Sequence, residues 1–137
     1  RPSSSNDQLK VFLKVFLRWV ESQLMVEGVI LVGSHARGRA WQDSDIDLVL
    51  FARSTKVIWK IELINDFGKP VSVGLEDYGK LTSVRVFYEE GPEIEFGFTQ
   101  LDWLALPLDV GTVGVLRNGF QIVYDRSGKY SALELPL

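Results

Sequence analysis

The sequence predicts an α/β or α+β domain built on one mixed β-sheet. A helix–strand–helix–strand succession opens the chain, and a run of extended segments follows it. The length, 137 residues and 15.5 kDa, fits a single domain spanning residues 1–137.

The first element reads as an amphipathic helix. Ser5 and Gln8 have the spacing of a capping box, which places its start. Leu9, Phe12, Leu13, Phe16, Val20 and Leu24 recur at intervals of three and four, so they share one face. Lys10, Lys14, Arg18 and Glu21 take the opposite face, and Gly28 marks the end. Val29 to Val32 is a short apolar run between glycines, the pattern of a buried strand. Gly33 to Ser44 is a polar connection with room for one helical turn. Asp45 to Phe51 alternates, with Asp45, Asp47, Val49 and Phe51 on one face and Ile46, Leu48 and Leu50 on the other. A helix capped by Ser54 and closed by Gly68 follows, carrying Val57, Ile58, Ile61, Leu63 and Ile64. Val71–Leu75, Ser83–Tyr88 and Glu93–Phe98 read as strands, with turns at Tyr78-Gly79 and Gly91-Pro92. The last two strands form a hairpin. A loop at Leu106-Pro107-Leu108, a short helix near Gly111–Leu116, a turn at Asn118-Gly119, a strand at Phe120–Tyr124 and a terminal helix at Ser131–Leu137 complete the chain.

Composition narrows the function. With 46% hydrophobic and 24% charged residues, the chain has a folded rather than a disordered balance. A net charge of −3 and a pI near 5.2 provide no basic field for a phosphate backbone, which counts against a nucleic-acid partner. The absence of cysteine excludes disulfides, thiolate metal sites and cysteine nucleophiles, and the single histidine excludes any site needing two. The early apolar stretch Val11–Val20 is broken by Lys14 and Arg18, so neither a membrane span nor a signal peptide is expected. The expected location is cytoplasmic.

Three features converge on chemistry. Gly33-Ser34 sits at the end of the first strand, where a missing Cβ lets a ligand approach the backbone and a following turn offers N–H groups to a phosphate. Asp45 and Asp47 alternate on one strand, with their Cα atoms about 7 Å apart. On a buried strand their mutual repulsion is costly unless a hard divalent cation such as Mg2+ removes it. Glu95, in Ile94-Glu95-Phe96, joins them if its strand lies beside the second one. Glu93 shares its face and competes for that role, although Pro92 places it at the rim. Each feature alone has an ordinary reading: a turn, a solvated strand face, an outward hairpin position. Asp43-x-Asp45-x-Asp47 is not an EF-hand loop, because Leu48 stands where Gly is needed and Ser54 where Glu is needed. Gly38 is followed by Arg39 and Ala40, so there is no Walker A loop either.

Together, residues 33–51, GSHARGRAWQDSDIDLVLF, resemble the signature of the DNA polymerase β-like nucleotidyltransferase superfamily, and within it the minimal nucleotidyltransferases. Ala36-Arg37-Gly38 and Ser44 match those small members, and the segment Thr99–Tyr130 is loosely similar to their C-terminal parts. The resemblance implies the nucleotidyltransferase fold, a mixed, mostly antiparallel sheet flanked by helices. It implies transfer of a nucleoside monophosphate, AMP from ATP in the first instance, to a hydroxyl acceptor. Gly33, Ser34, Arg37 and Ser44 would hold the nucleotide. Asp45, Asp47 and Glu95 would hold two Mg2+ ions, with Glu95 helping to deprotonate the acceptor. Arg37 and Arg39 have planar forks suited to phosphate oxygens. His35 cannot form a triad with its neighbour Ser34 and is expected to be an ordinary loop residue; Trp41, in the loop near the site, has core packing as its ordinary reading and stacking on a base as the alternative. Asp43 is expected to be exposed. Minimal nucleotidyltransferases work beside helical HEPN-type partners in toxin–antitoxin pairs, so a hydroxyl on a partner protein is the expected acceptor. The alternatives are an aminoglycoside-like small molecule and a non-catalytic partner-binding module.

Overall fold

We describe residues 5–36, 38, 45–53, 64–77, 81–91, 93–100 and 110–131 of a computed structural model. Their elements, in chain order, are α1 (Ser5–Ser22), β1 (Val26–Val32), α2 (Gly33–Ala36), β2 (Ile46–Ala52), β3 (Pro70–Asp77), β4 (Leu81–Tyr88), β5 (Ile94–Thr99), α3 (Val110–Arg117) and β6 (Phe120–Asp125). The six strands form one sheet in the order β3-β4-β5-β2-β1-β6. Every pairing is antiparallel except β2 with β5, which is parallel. This is the mixed, mostly antiparallel sheet that the sequence predicts.

Alternation along the central strands divides the side chains between two layers. Ile46, Leu48, Leu50 and Ala52 of β2 join Ile94, Phe96 and Phe98 of β5 under α1, which contributes Leu9, Phe16 and Val20. Phe16 is fully buried, its ring 5.5 Å from that of Phe67 and 6.4 Å from that of Phe96. Each such side chain contributes roughly 1.5–3 kcal/mol by leaving water. On the opposite face Ile30, Val49 and Phe51 pack against Leu116 of α3 and Tyr130. Gly28 makes this second layer possible, because a Cβ there would stand 2.7 Å from the Tyr130 ring, which stacks on Phe51 at 4.9 Å.

The helix ends earlier than its apolar stripe predicts. α1 stops at Ser22, Leu24 is 76% exposed, and Gly28 lies inside β1 instead of closing the helix. The cause is a distant side chain. Arg126 donates from Nη2 to the carbonyls of Val20 (3.0 Å) and Gln23 (2.9 Å) and from Nε to Val26 (2.9 Å), satisfying the groups that a helix end leaves open. The chain therefore enters β1 at Val26. A register shift between Val26 and Gly28 keeps Val26 and Val29 on the same layer.

At the far edge β3 is exposed along nearly its whole length, including Val71, Val73 and Leu75. The predicted hairpin is present as β4–β5. Ile64–Asp66 is helical ahead of Gly68, whereas most of the helix predicted from Ser54 lies outside the described residues. The turn at Tyr78-Gly79, the loop at 106–108 and residues 132–137 of the predicted terminal helix also lie outside them. Among the described residues no helix is long and apolar enough to cross a membrane.

Candidate active site

The register brings together residues that are remote in sequence. Asp47 of β2 lies opposite Glu95 of β5 in the parallel ladder, and Glu95 lies opposite Arg85 of β4. On its other side Asp47 faces Val32, the last residue of β1 before Gly33. One transverse row thus runs Arg85–Glu95–Asp47–Val32. One step further out, Asp45 and Glu93 flank the strand starts, and the Ile46 amide donates to the Glu93 carbonyl at 2.9 Å. Directly opposite residues point to the same side of a sheet, so four carboxylates share a single face.

Gly33 begins α2, the short turn expected after β1, with φ at +75°. A Cβ at this position would collide with Asp47 Oδ2 and sit 3.3 Å from its Cγ. The glycine therefore brings the backbone against the carboxylate as well as making the turn. His35 is buried (7% exposed) rather than lying in an open loop, and Gln121 of β6 donates to the Ala36 carbonyl at 3.0 Å, tying α2 to the sheet.

Burial, then the neighbouring charges of Glu95 and Asp45, push the Asp47 carboxyl up to about 7, against a smaller opposing pull from Arg85. Glu93 also rises to about 7, through burial first and then its hydrogen bond and charge contact with Asp45. Glu95 is held in place from β4. Ser83 Oγ donates to its Oε1 at 2.5 Å, and Arg85 Nη2 lies 3.0 Å from its Oε2. Arg85 Nε also stands 3.2 Å from Glu93 Oε1, a charge contact without hydrogen-bond geometry.

Glu93 is thus no rim residue, because its side chain is 15% exposed and forms part of the cluster. Arg85, Ser83 and the inward placement of Glu93 escape a reading of local motifs. Their signal is the alternation Ser83-x-Arg85 on the strand paired with Glu95, which becomes informative once the hairpin register is known. Ser34 lies in α2, but its side chain, together with Arg37, Arg39, Trp41, Asp43 and Ser44, lies outside the described residues.

The donor set suits a hard divalent cation. All its donor atoms are carboxylate oxygens, and Asp47 Oδ1 is buried without a hydrogen-bond partner among the described residues. Among the described residues no three of these groups are placed to hold a metal ion together, and both Glu95 oxygens are already engaged.

The raised carboxyls give stability a definite pH dependence. Between the ordinary carboxylate range near 4 and about 7, the folded chain binds more protons at Asp47 and Glu93 than the unfolded chain. The contribution of these two groups to stability is then greatest below that window and is lost as pH rises through about 7. In EDTA, Tm is expected to drop by several degrees from pH 5 to pH 8, as followed by circular dichroism. A flat profile would contradict the burial of these charges.

Residues 13–94 match a family described as the nucleotidyltransferase domain. Among solved structures, an aminoglycoside 6-adenyltransferase from Bacillus subtilis is similar at 14% identity and a TM-score of 0.50, over 74% of this chain and 36% of that one. At that identity the likeness is one of fold. A cytoplasmic RNA terminal U-transferase is similar at 16% identity and a TM-score of 0.49, over 69% of this chain and 28% of that one. A non-canonical poly(A) polymerase complex is similar at 16% identity and a TM-score of 0.45, over 74% and 35%. The chain spans about a third of the length of these structures. No curated protein matches it.

Proposed function

The chain belongs to the nucleotidyltransferase domain family, and on that premise we propose that it transfers a nucleoside monophosphate from a nucleoside triphosphate, ATP first, to a hydroxyl acceptor. The observation that carries this reading is the pairing of Asp47 with Glu95 directly behind Gly33. In the reaction the acceptor oxygen bonds to the α-phosphorus, the bond to the bridging oxygen breaks, and pyrophosphate leaves. Such chemistry depends on position and charge neutralisation more than on covalent help from the protein.

Asp45, Asp47 and Glu95 would hold Mg2+, two ions by expectation, with Glu93 adjacent. Bound there, the metal neutralises triphosphate charge and activates the attacking oxygen. Glu95 would also receive the acceptor proton. Gly33 and Ser34 would bring backbone amides to the triphosphate, and Arg37 and Ser44 would hold its oxygens. The acceptor we propose is a Tyr, Ser or Thr hydroxyl on a helical partner protein of HEPN type, as in toxin–antitoxin pairs. The resemblance of residues 33–51 to minimal nucleotidyltransferases supports this choice.

Calorimetric titration with ATP, GTP, CTP and UTP, each with and without Mg2+, tests the reading. ATP is expected to bind tightest and only with the metal, and Asp47→Asn to weaken that binding about tenfold or more. Absence of binding for all four nucleotides would instead favour a non-catalytic partner-binding module.

A further inference from the structure

Arg85 occupies an unusual position for a residue beside a metal-binding cluster. It stands opposite Glu95 in the ladder, with Nη2 3.0 Å from Glu95 and Nε 3.2 Å from Glu93. It therefore bridges both pairs of carboxylates, the inner Asp47–Glu95 pair and the outer Asp45–Glu93 pair. Its single positive charge opposes four acidic groups, so negative charge remains in surplus. Among the described residues its ion pairs are with these two carboxylates, and its side chain is 47% exposed. Ser83 holds the other oxygen of Glu95, so each carboxylate oxygen already accepts one hydrogen bond and the group is oriented.

We propose that Arg85 is the resident counter-ion of this cluster: it holds Glu95 and Glu93 while no cation is present and gives up Glu95 when a divalent cation binds. The inference rests on the cation-binding reading above and adds the residue that sets its threshold. A guanidinium and a divalent ion compete for the same oxygen, and the divalent ion carries twice the charge. The cost of detaching Arg85 is subtracted from the affinity for the cation. Arg85 is thus a positioning residue, and the exchange would make the site respond to divalent-cation concentration before any nucleotide chemistry begins.

Mn2+ binding read by the paramagnetic resonance of the free ion tests this without an activity assay. Arg85→Met is expected to bind Mn2+ about tenfold more tightly than wild type, since it removes the competing charge. Arg85→Gln serves if the methionine variant folds poorly, and Arg85→Lys, which keeps the charge, is expected to stay within about threefold of wild type. On the wild type itself, saturating Mg2+ should move the Arg85 Nη2–H resonance, which reports the Glu95 contact, towards that of a free guanidinium. Unchanged or weaker Mn2+ affinity in Arg85→Met and Arg85→Gln overturns the proposal while leaving the metal site standing. A wild type that binds no Mn2+ overturns the metal reading and this inference with it.

Discussion

Replacing Asp47 by Asn is expected to lower nucleotidyl transfer by about a thousandfold while making the metal-free protein more stable. The two effects share one cause. Burial and the charges of Glu95 and Asp45 hold the Asp47 carboxyl up to about 7. At pH 8 the folded chain therefore carries an ionised group in a place that disfavours it. The amide removes that charge, so in EDTA the variant should melt a few degrees higher. It also removes the oxygen donor that the triphosphate-bound metal requires, so turnover collapses. A residue that served the fold would show the opposite pairing, with stability and activity falling together. Melting curves in EDTA beside a pyrophosphate-release assay decide the matter. Wild-type turnover in the variant would remove Asp47 from the site.

The second large effect is expected at Gly33. Alanine there must adopt a φ of +75° and place its Cβ against the Asp47 carboxylate. The first requirement costs about 1–2 kcal/mol, and the collision adds to it by displacing a side chain from a packed position. A total loss of about 2–4 kcal/mol is expected. Gly38 provides the control, since its φ is +68° but a Cβ there meets nothing within 4 Å among the described residues. Gly38→Ala should therefore lose only the conformational part. In an Asp47→Ala background the excess cost of Gly33→Ala should vanish, because the colliding oxygen is gone. Urea denaturation of the four variants closes this cycle. If Gly33→Ala costs no more than Gly38→Ala, the close approach of backbone and carboxylate is not a constraint on the fold.

The sequence discloses those parts of the site that depend on local periodicity. Asp45 and Asp47 share a face because β2 alternates, and the identity of that face follows from Ile46, Leu48 and Leu50 on the other side. Glu95 announces itself as an acid between two apolar residues. What alternation cannot disclose is which strands are neighbours and in what register. Arg85 and Ser83 reach Glu95 only through the β4–β5 ladder, and Glu93 turns inward because β5 runs parallel to β2 and brings it beside Asp45. The early end of α1 has the same character. Leu24 continues the apolar stripe, but the residue that ends the helix is Arg126, about a hundred positions later. The exposure of Val71, Val73 and Leu75 is likewise a matter of position, because β3 reads as an ordinary strand until the sheet order places it at an edge.

The parallel pairing of β2 with β5 joins segments separated by two intervening strands, whereas β3–β4 and β4–β5 pair consecutive strands. Closing so long a loop carries a larger entropic cost and is slow compared with forming neighbours. The ladder that creates the acidic cluster is thus costlier to close than the pairings of consecutive strands, only β1–β6 closing a longer loop, and its completion is opposed by the repulsion it produces. In kinetic terms the cluster is expected to form after the hairpins, because its partners are remote in sequence and its charges repel. If the contact forms after the barrier, a cation captured there is expected to slow unfolding and to leave the folding rate nearly unchanged.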